Sequence, residues 1–352
     1  ENRLVEWYNS TALGDITKDP LKGASSDRFY RASDSLVLKH SEIERDLRHA
    51  TRKFHSIDKT ILLYDLTNTH FEGCCNNNPA AKRGKNKQRR DDCPQIVVGM
   101  IFDQYGFEVA HKMFSGNQSD SKSLPEMLNM MQEIKKEENE KHSPLVVVDS
   151  GMSCSSNLAQ LRENSFTYLV NDRRPSRKKY EKYFSEEEKF KKIENRENKS
   201  PVYTRLIEET NYEVNADGSQ GKEYKEKLLL CLSKQRSQKE NAIIDAAENK
   251  FIEDLVQFRK RVHSQKKKIS QKEIDRKIGK LQNKHSRIQR YYEITGNADT
   301  RTFEWEVKKE KLSSLKTLSG CYVLRTNSQT IDENDIWQTY ISLTKAEKGF
   351  QI

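Results

Sequence analysis

The stretch "SPLVVVDSGM" (residues 143–152) runs four apolar residues, Leu145 to Val148, straight into an aspartate and then Ser-Gly. A short unbroken apolar run reads as a strand buried on both faces. A carboxylate at its end needs a reason. A second stretch has the same shape: "TILLYDLTNTHFEG" (60–73) sets Asp65 behind Ile61, Leu62, Leu63 and Tyr64. Asp149 before Ser150-Gly151 has an ordinary explanation as a turn former, because Asp caps its own backbone and Gly supplies positive φ. Asp65 is harder to dismiss. It lies inside the strand pattern on the face of Leu63 and Thr67, where an ionised carboxylate is costly unless paired or bound to a cation. If the two strands are parallel neighbours, both carboxylates project at one sheet edge. Their repulsion then disfavours both being charged unless a divalent metal sits between them.

The surrounding pattern is α/β. Strands are predicted at 60–67, 95–102 and 106–114, with Asp103–Gly106 as a hairpin turn between the last two. A helix from about 124 is opened by the capping box Ser123-Leu124-Pro125-Glu126. Strand 145–149, a helix near 155–164 and strand 166–171 follow. Residues 1–56 read as helical, with a capping box at Ser41–Glu44 and Leu47, Ala50 and Phe54 at helical spacing.

Residues 175–320 differ in composition, being rich in Lys and Glu, with β-like stretches at 201–214, 223–233 and 301–309. Capping boxes at Ser237–Glu240 and Ser270–Glu273 predict two helices, most simply an antiparallel hairpin; one long coiled-coil arm is the alternative. The composition shift after Arg174 predicts a lobe separate from the core sheet. Residues 335–351 read as one more helix, whose stripe Ile336, Tyr340, Leu343, Glu347, Phe350 contains a glutamate. Glu347 with Asp65 and Asp149 makes an oxygen-only donor set, suited to Mg²⁺ or Mn²⁺ rather than zinc. Such a set can hold two ions about 3.5–4 Å apart for phosphodiester chemistry.

Bulk composition agrees with an anionic partner. Lys+Arg number 63 against 53 Asp+Glu, a balance of +10 that favours nucleic acid. No apolar run approaches the roughly eighteen residues of a membrane span, and no charged-then-apolar leader opens the chain. Six cysteines without a CxxC pair point to a reducing cytoplasm. His70, Cys74, Cys75 and Cys93 fit no common zinc spacing. The chain lacks an initiator Met and stops within a helical pattern, as a piece of a longer protein would.

Several segments together resemble the DDE transposases of bacterial insertion sequences, in the branch with a Tyr-Arg-Glu-Lys signature. "LLYDLTNTHFEG" looks like the first-Asp strand, and "CPQIVVGMIFDQYGFEVAHKMFSGNQSDSKSLPEML" like the next two strands with a Gly-Asn-x-Ser-Asp turn. "LVVVDSGMSCSSNLAQLRENSFTYLVNDRR" looks like the second-Asp strand and its return, and "GCYVLRTN" with "IWQTYISLTKAEKGFQ" like the approach to the glutamate helix. The resemblance implies an α/β, RNase H-like mixed sheet with flanking helices: an N-terminal helical region (1–56) in possible DNA contact, a core (57–174), a large β-plus-helical-hairpin insertion (175–320) and a return to the core with the glutamate helix (321–352). It implies that Asp65, Asp149 and Glu347 are the catalytic, metal-binding triad for two Mg²⁺ (or Mn²⁺) ions, and that Tyr340 is the signature tyrosine. It implies metal-dependent cleavage and strand transfer on double-stranded DNA, at terminal inverted repeats and target, by a homodimer in the bacterial or archaeal cytoplasm at the nucleoid. The chain departs from the pattern at Leu343, where the family has arginine, and the lysine expected seven residues after Glu347 lies beyond the end.

Candidate DNA contacts are Tyr340, the bases Lys82, Arg83, Lys85, Lys87, Arg89 and Arg90 in one loop, Arg173 and Arg174, and the stretch 259–290 with thirteen Lys+Arg against two acids, including Arg259, Lys260, Arg261, Lys266 and Lys267. Trp305 could stack on an unpaired base, with sheet packing as its alternative. Tyr64 and His70 read as core or wall residues. Competing functions are a catalytically inactive remnant that only binds DNA, another RNase H-like nuclease, and a basic coiled-coil RNA-binding protein. The last leaves two strand-end aspartates unexplained.

Overall fold

The computed structural model describes residues 3–18, 25–55, 61–86, 88, 90–137, 144–193, 200–214, 217–264 and 269–349. Four helices come first: α1 (Leu4–Asn9), α2 (Leu13–Thr17), α3 (Ser26–Val37) and α4 (His40–His55). The core follows as β1 (Ile61–His70), β2 (Gln95–Asp103), β3 (Glu108–Ser115), α5 (Asp120–Glu137), β4 (Leu145–Val148), α6 (Ser155–Glu163) and β5 (Thr167–Asn171). Then come α7 (Glu181–Phe184), β6 (Lys191–Ile193), β7 (Val202–Val214), β8 (Gln220–Ser233), α8 (Lys234–His263), α9 (Gln271–Lys284), β9 (Tyr292–Asn297), β10 (Thr302–Val307) and α10 (Lys309–Thr317). The chain closes with β11 (Cys321–Thr326), α11 (Glu333–Ile341) and α12 (Leu343–Gly349).

Nine of the described strands form one sheet in the order β3-β2-β1-β4-β5-β11-β8-β7-β6. The pairs β3–β2 and β2–β1 are antiparallel, whereas β1–β4 and β4–β5 are parallel. This is the RNase H-like mixed sheet. Alternate residues of β1 go to opposite faces. Leu62, Tyr64 and Leu66 join Val146, Val148 and Tyr168 under α5 and α6, while Leu63 joins Val147 and Leu169 under Trp337 of α11 and Ala346 of α12. The hairpin turn falls where expected: Gly106 N–H meets Asp103 O at 3.0 Å, and the Asp103 carboxylate accepts from Tyr105 and Phe107 N–H.

The helix starts need correction. Ser41, Ser123 and Ser237 lie inside helices that begin upstream, at His40, Asp120 and Lys234. A serine three residues before a glutamate also falls naturally within a helix, and a better cap can claim the start. For α8 that cap is Ser233, whose side chain accepts from Arg236 N–H. Only Ser270–Glu273 forms the reciprocal box, with both of its bonds. The stripe on α4 is corrected too. Leu47 and Phe54 are exposed, and the helix docks through Glu44 and Arg48 instead. The cause is its neighbour: β3 is a sheet edge with unpaired backbone groups. Glu44 accepts from His111 N–H at 3.1 Å, and Arg48 donates to Val109 O at 3.2 Å.

The expectation that 175–320 stands apart from the core sheet is also overturned. β8 pairs with β11 along the whole length of β11, and β7 and β6 extend the same sheet to its far edge. Within β8, "LLLCL" (228–232) is another unbroken buried run, which cannot face water on either side. A buried charge cluster ties this half to the core: Glu226 takes hydrogen bonds from Tyr168 of β5, Arg325 of β11 and Asn211 of β7. The remainder, α8 to α10, does build its own apolar centre around Phe251, Leu255, Phe258, Ile274 and Phe303. Its two long helices run antiparallel as a hairpin, because Asp254 pairs with Lys284 and His285 while Lys277 lies over Phe258.

Candidate active site

The register of the two aspartate strands decides the site. Tyr64 lies opposite Val148 in the parallel β1–β4 pair, so Asp65 and Asp149 follow side by side one residue further on. Asp65 is half-buried and Asp149 exposed. The turn-former explanation of Asp149 does not describe its side chain, which makes no cap bond to the short 3-10 turn Ser150–Met152. Instead it accepts the Tyr340 hydroxyl at 3.3 Å. Burial and the Asp149 charge push the Tyr340 hydroxyl well above the usual phenol range, keeping it a donor.

Glu347 reaches the same place from α12, which packs against β1. Asp65, Asp149, Tyr340, Leu343, Thr344 and Glu347 share a cleft of about 130 Å³. The expected single helix over 335–351 is corrected: it breaks at Ser342 into α11 and α12, with Phe350 outside the described residues. The break lets Leu343 tuck against the Ile336–Trp337 cluster and Ala346 become fully buried. Lys345 anchors the second piece by donating to Gln104 O at 3.0 Å. Glu347 is thereby left exposed beside Ala346.

A larger opening of about 690 Å³ adjoins the two aspartates, with Lys85, Asn117, Asp120 and Gly151 on its walls. Gly116 precedes the wall residue Asn117 and is tightly enclosed. A Cβ there would stand 1.9 Å from Gln95 O and 2.3 Å from Lys82 O, both backbone atoms. At Gly151 the constraint is softer, since a Cβ would meet the Asp120 carboxylate at 2.6 Å and that side chain can turn away. Sequence reasoning did not single out Asp120 or Asn117 as cleft residues. The "GNQSD" turn carried that signal through its glycine.

The basic candidates divide. Lys82, Arg83 and Lys85 are exposed, and Lys85 lines the opening. Arg90 is engaged with Asp92 at 2.8 Å and Glu72 at 3.4 Å. Arg173 is exposed and Arg174 pairs with Glu240. Lys260 and Arg261 are exposed at the end of α8, and neither lines the cleft or the larger opening. Trp305 packs beside Phe303 with the Arg259 guanidinium 4.8 Å over its ring. Lys87, Arg89, Lys266 and Lys267 lie outside the described residues. Tyr64 is a core residue, fully buried, donating to Ser123 Oγ at 2.8 Å.

The donors around Asp65 are hard oxygens and one of them is half-buried, which fits Mg²⁺ or Mn²⁺. Among the described residues, three donor atoms lie within 4.8 Å of one another only at Glu44, Glu108 and His111, so the triad is more widely spread than one ion's shell. A pair of ions does not require all three acids around one centre. The Glu44–Glu108–His111 group acts as an ion pair. His111 Nδ1 is 2.6 Å from Glu44 and 2.8 Å from Glu108, and these carboxylates raise its pKa to about 10.

Residues 56–340 match the Transposase DDE domain family. The chain belongs to that family. No protein of curated function matches this DDE transposase chain in sequence. Among solved structures it is similar to the Mos1 transposase paired-end complex with left transposon end, at 12% identity and TM-score 0.23 over 36% of this chain. It is also similar to the piggyBac transposase synaptic complex with hairpin DNA, at 8% identity and TM-score 0.30 over 84% of this chain. The DDE transposase chain spans 39% of the length of each. No described helix is long and apolar enough to cross a membrane.

Proposed function

We propose that this chain is the catalytic part of an insertion-sequence transposase, cleaving DNA at element ends and joining the 3′ ends to a target. The observation that carries the reading is the placement of Asp65 and Asp149 side by side on adjacent parallel strands, beside Glu347, in one open cleft. Asp65, Asp149 and Glu347 would hold two Mg²⁺ or Mn²⁺ ions. When bound, such ions activate an attacking water or 3′-hydroxyl and stabilise the leaving oxygen of an in-line displacement. Tyr340 orients Asp149 by donating to it, and Lys85 supplies positive charge on the wall beside the scissile strand. Further phosphate contacts come from the exposed bases of the 82–90 loop, Arg173 and the end of α8, which position the duplex without reading its sequence. Two copies acting together on paired ends complete the reading.

A second reading is a DNA-binding remnant. Leu343 occupies the place of the family's arginine and is packed in the apolar layer, so a phosphate contact is replaced by core. Titrating Mg²⁺ against nicked and blunt duplexes, with the protein in its complete form, separates the two. Metal-dependent strand cleavage is the expected result. Tight duplex binding with no cleavage of either substrate at any metal concentration would establish the remnant.

A further inference from the structure

Away from the carboxylate cleft, four arginines line a second cavity. Arg174 and Arg177 enter from the segment after β5, Arg287 and Arg290 from the turn between α9 and β9, around a space of about 250 Å³. One carboxylate, Glu240 of α8, faces them. It is already engaged: it accepts Gly320 N–H at 3.0 Å, pairs with Arg174 and with Arg236 at 3.1 Å, and stands 3.9 Å from Arg177. Burial works to raise its pKa, but the N–H and the guanidinium groups hold it below the usual carboxylate range.

This network accounts for Arg174, Arg177 and Arg236 as a structural tie between the core and α8. It does not account for Arg287 and Arg290. Both are exposed, and neither makes an ion pair among the described residues. Arg290 only overlies its neighbour Tyr291, at 5.8 Å. Gathering unpaired like charges around one concavity is unfavourable until an anion enters. Guanidinium groups suit phosphate, because their fork of N–H donors binds its oxygens bidentately. The cavity is smaller than the roughly 300–1,000 Å³ of small-molecule sites, and so suits a phosphate rather than a whole cofactor.

We propose that this pocket binds a phosphate group through Arg287 and Arg290, with Arg174 and Arg177 completing the positive wall. It lies at the sheet end that carries the carboxylates. β4 and β5 run parallel, β4 leads into Asp149, and Arg174 lies three residues after β5 ends at Asn171. Where the phosphate belongs to a DNA backbone, the proposal deepens the transposase reading and rests on it. A phosphate of a free small molecule would need no such reading.

The test is Arg287→Ala/Arg290→Ala, with Lys309→Ala/Lys311→Ala removing the same charge from the exposed start of α10 as control. Affinity for a duplex of random sequence is measured against salt without added metal, and inorganic phosphate is titrated separately. Working without metal keeps the result independent of whether Asp65 and Asp149 are catalytic. For a DNA phosphate, duplex affinity falls about tenfold per arginine, and the log–log salt slope flattens by about 0.9 per lost contact. The control then changes far less. Unchanged duplex affinity with loss of phosphate binding supports the pocket and removes DNA as its source. Pocket and control variants behaving alike in both arms would overturn the proposal.

Discussion

The Tyr340 hydroxyl donates to Asp149 at 3.3 Å, joining α11 to the end of β4. The contact links the helix that leads to Glu347 with the strand-end carboxylate. A carboxylate free to rotate would lose its preferred orientation in the cleft. Partners that orient a ligating group typically contribute 10- to 100-fold to metal affinity or activity. Tyr340→Phe is therefore expected to lower cleavage by about that factor and raise the Mg²⁺ needed for half-maximal rate, with the fold intact. An unchanged metal requirement would remove Tyr340 from the site.

The docking of α4 on the edge strand is expected to depend on pH. Glu108 and Glu44 raise the His111 pKa to about 10 in the folded protein. A raised folded pKa stabilises fully below the unfolded value of about 6.5 and loses that contribution as pH climbs toward 10. For Glu44, burial acts upward, but His111 brings the net pKa below its ordinary value. Its contribution is present above an unfolded pKa of about 4.3 and is lost as pH falls below it. The His40 ring lies 6.5 Å from that of His111, on the same side of the contact. Hydrogen exchange of β3 amides should show the strongest protection near pH 5–6 and loosening above pH 8, a trend absent in His111→Gln.

Glu226 is buried between β5, β8 and β11, where it faces Arg325. Removing one partner of a buried pair strands the other charge, at a cost of about 3–5 kcal/mol. Glu226→Ala should lower unfolding free energy by that amount in urea. The double variant Glu226→Leu/Arg325→Met should recover much of it, although Asp172 also pairs with Arg325 at 2.7 Å. A loss below about 1 kcal/mol in the single variant, the scale of an exposed pair, would show that the cluster is effectively solvated.

What the sequence made legible follows from periodicity. An apolar run ending in Asp65 or Asp149 stands out because a strand interior tolerates so few charges, and parallel pairing then brings the two together. Glu347 was legible as the acid on an otherwise apolar helical stripe. The role of β8 was hidden although "LLLCL" has the same signature as "LVVV". Its Lys- and Glu-rich surroundings described the loops and outer helices, not the strand. Leu47 and Phe54 misled for a different reason: an edge strand is covered through polar side chains that satisfy its backbone, so the buried face of α4 is not the apolar one. The break at Ser342 is set by packing of Leu343 and Ala346 on β1, which no local propensity announces.

The most direct measurement compares the complete protein with its Asp65→Asn variant on a duplex carrying the element end, scoring Mg²⁺-dependent cleavage and duplex affinity in the same samples. On the proposed function, replacing this acid removes a metal ligand and leaves the proposed Lys and Arg contacts to phosphate in place. Cleavage should be abolished while affinity stays within about threefold, since the substituted residue makes no phosphate contact. Cleavage that persists in the Asp65→Asn protein, or in the parent with EDTA, would contradict the assignment of the two strand-end aspartates as the catalytic metal site.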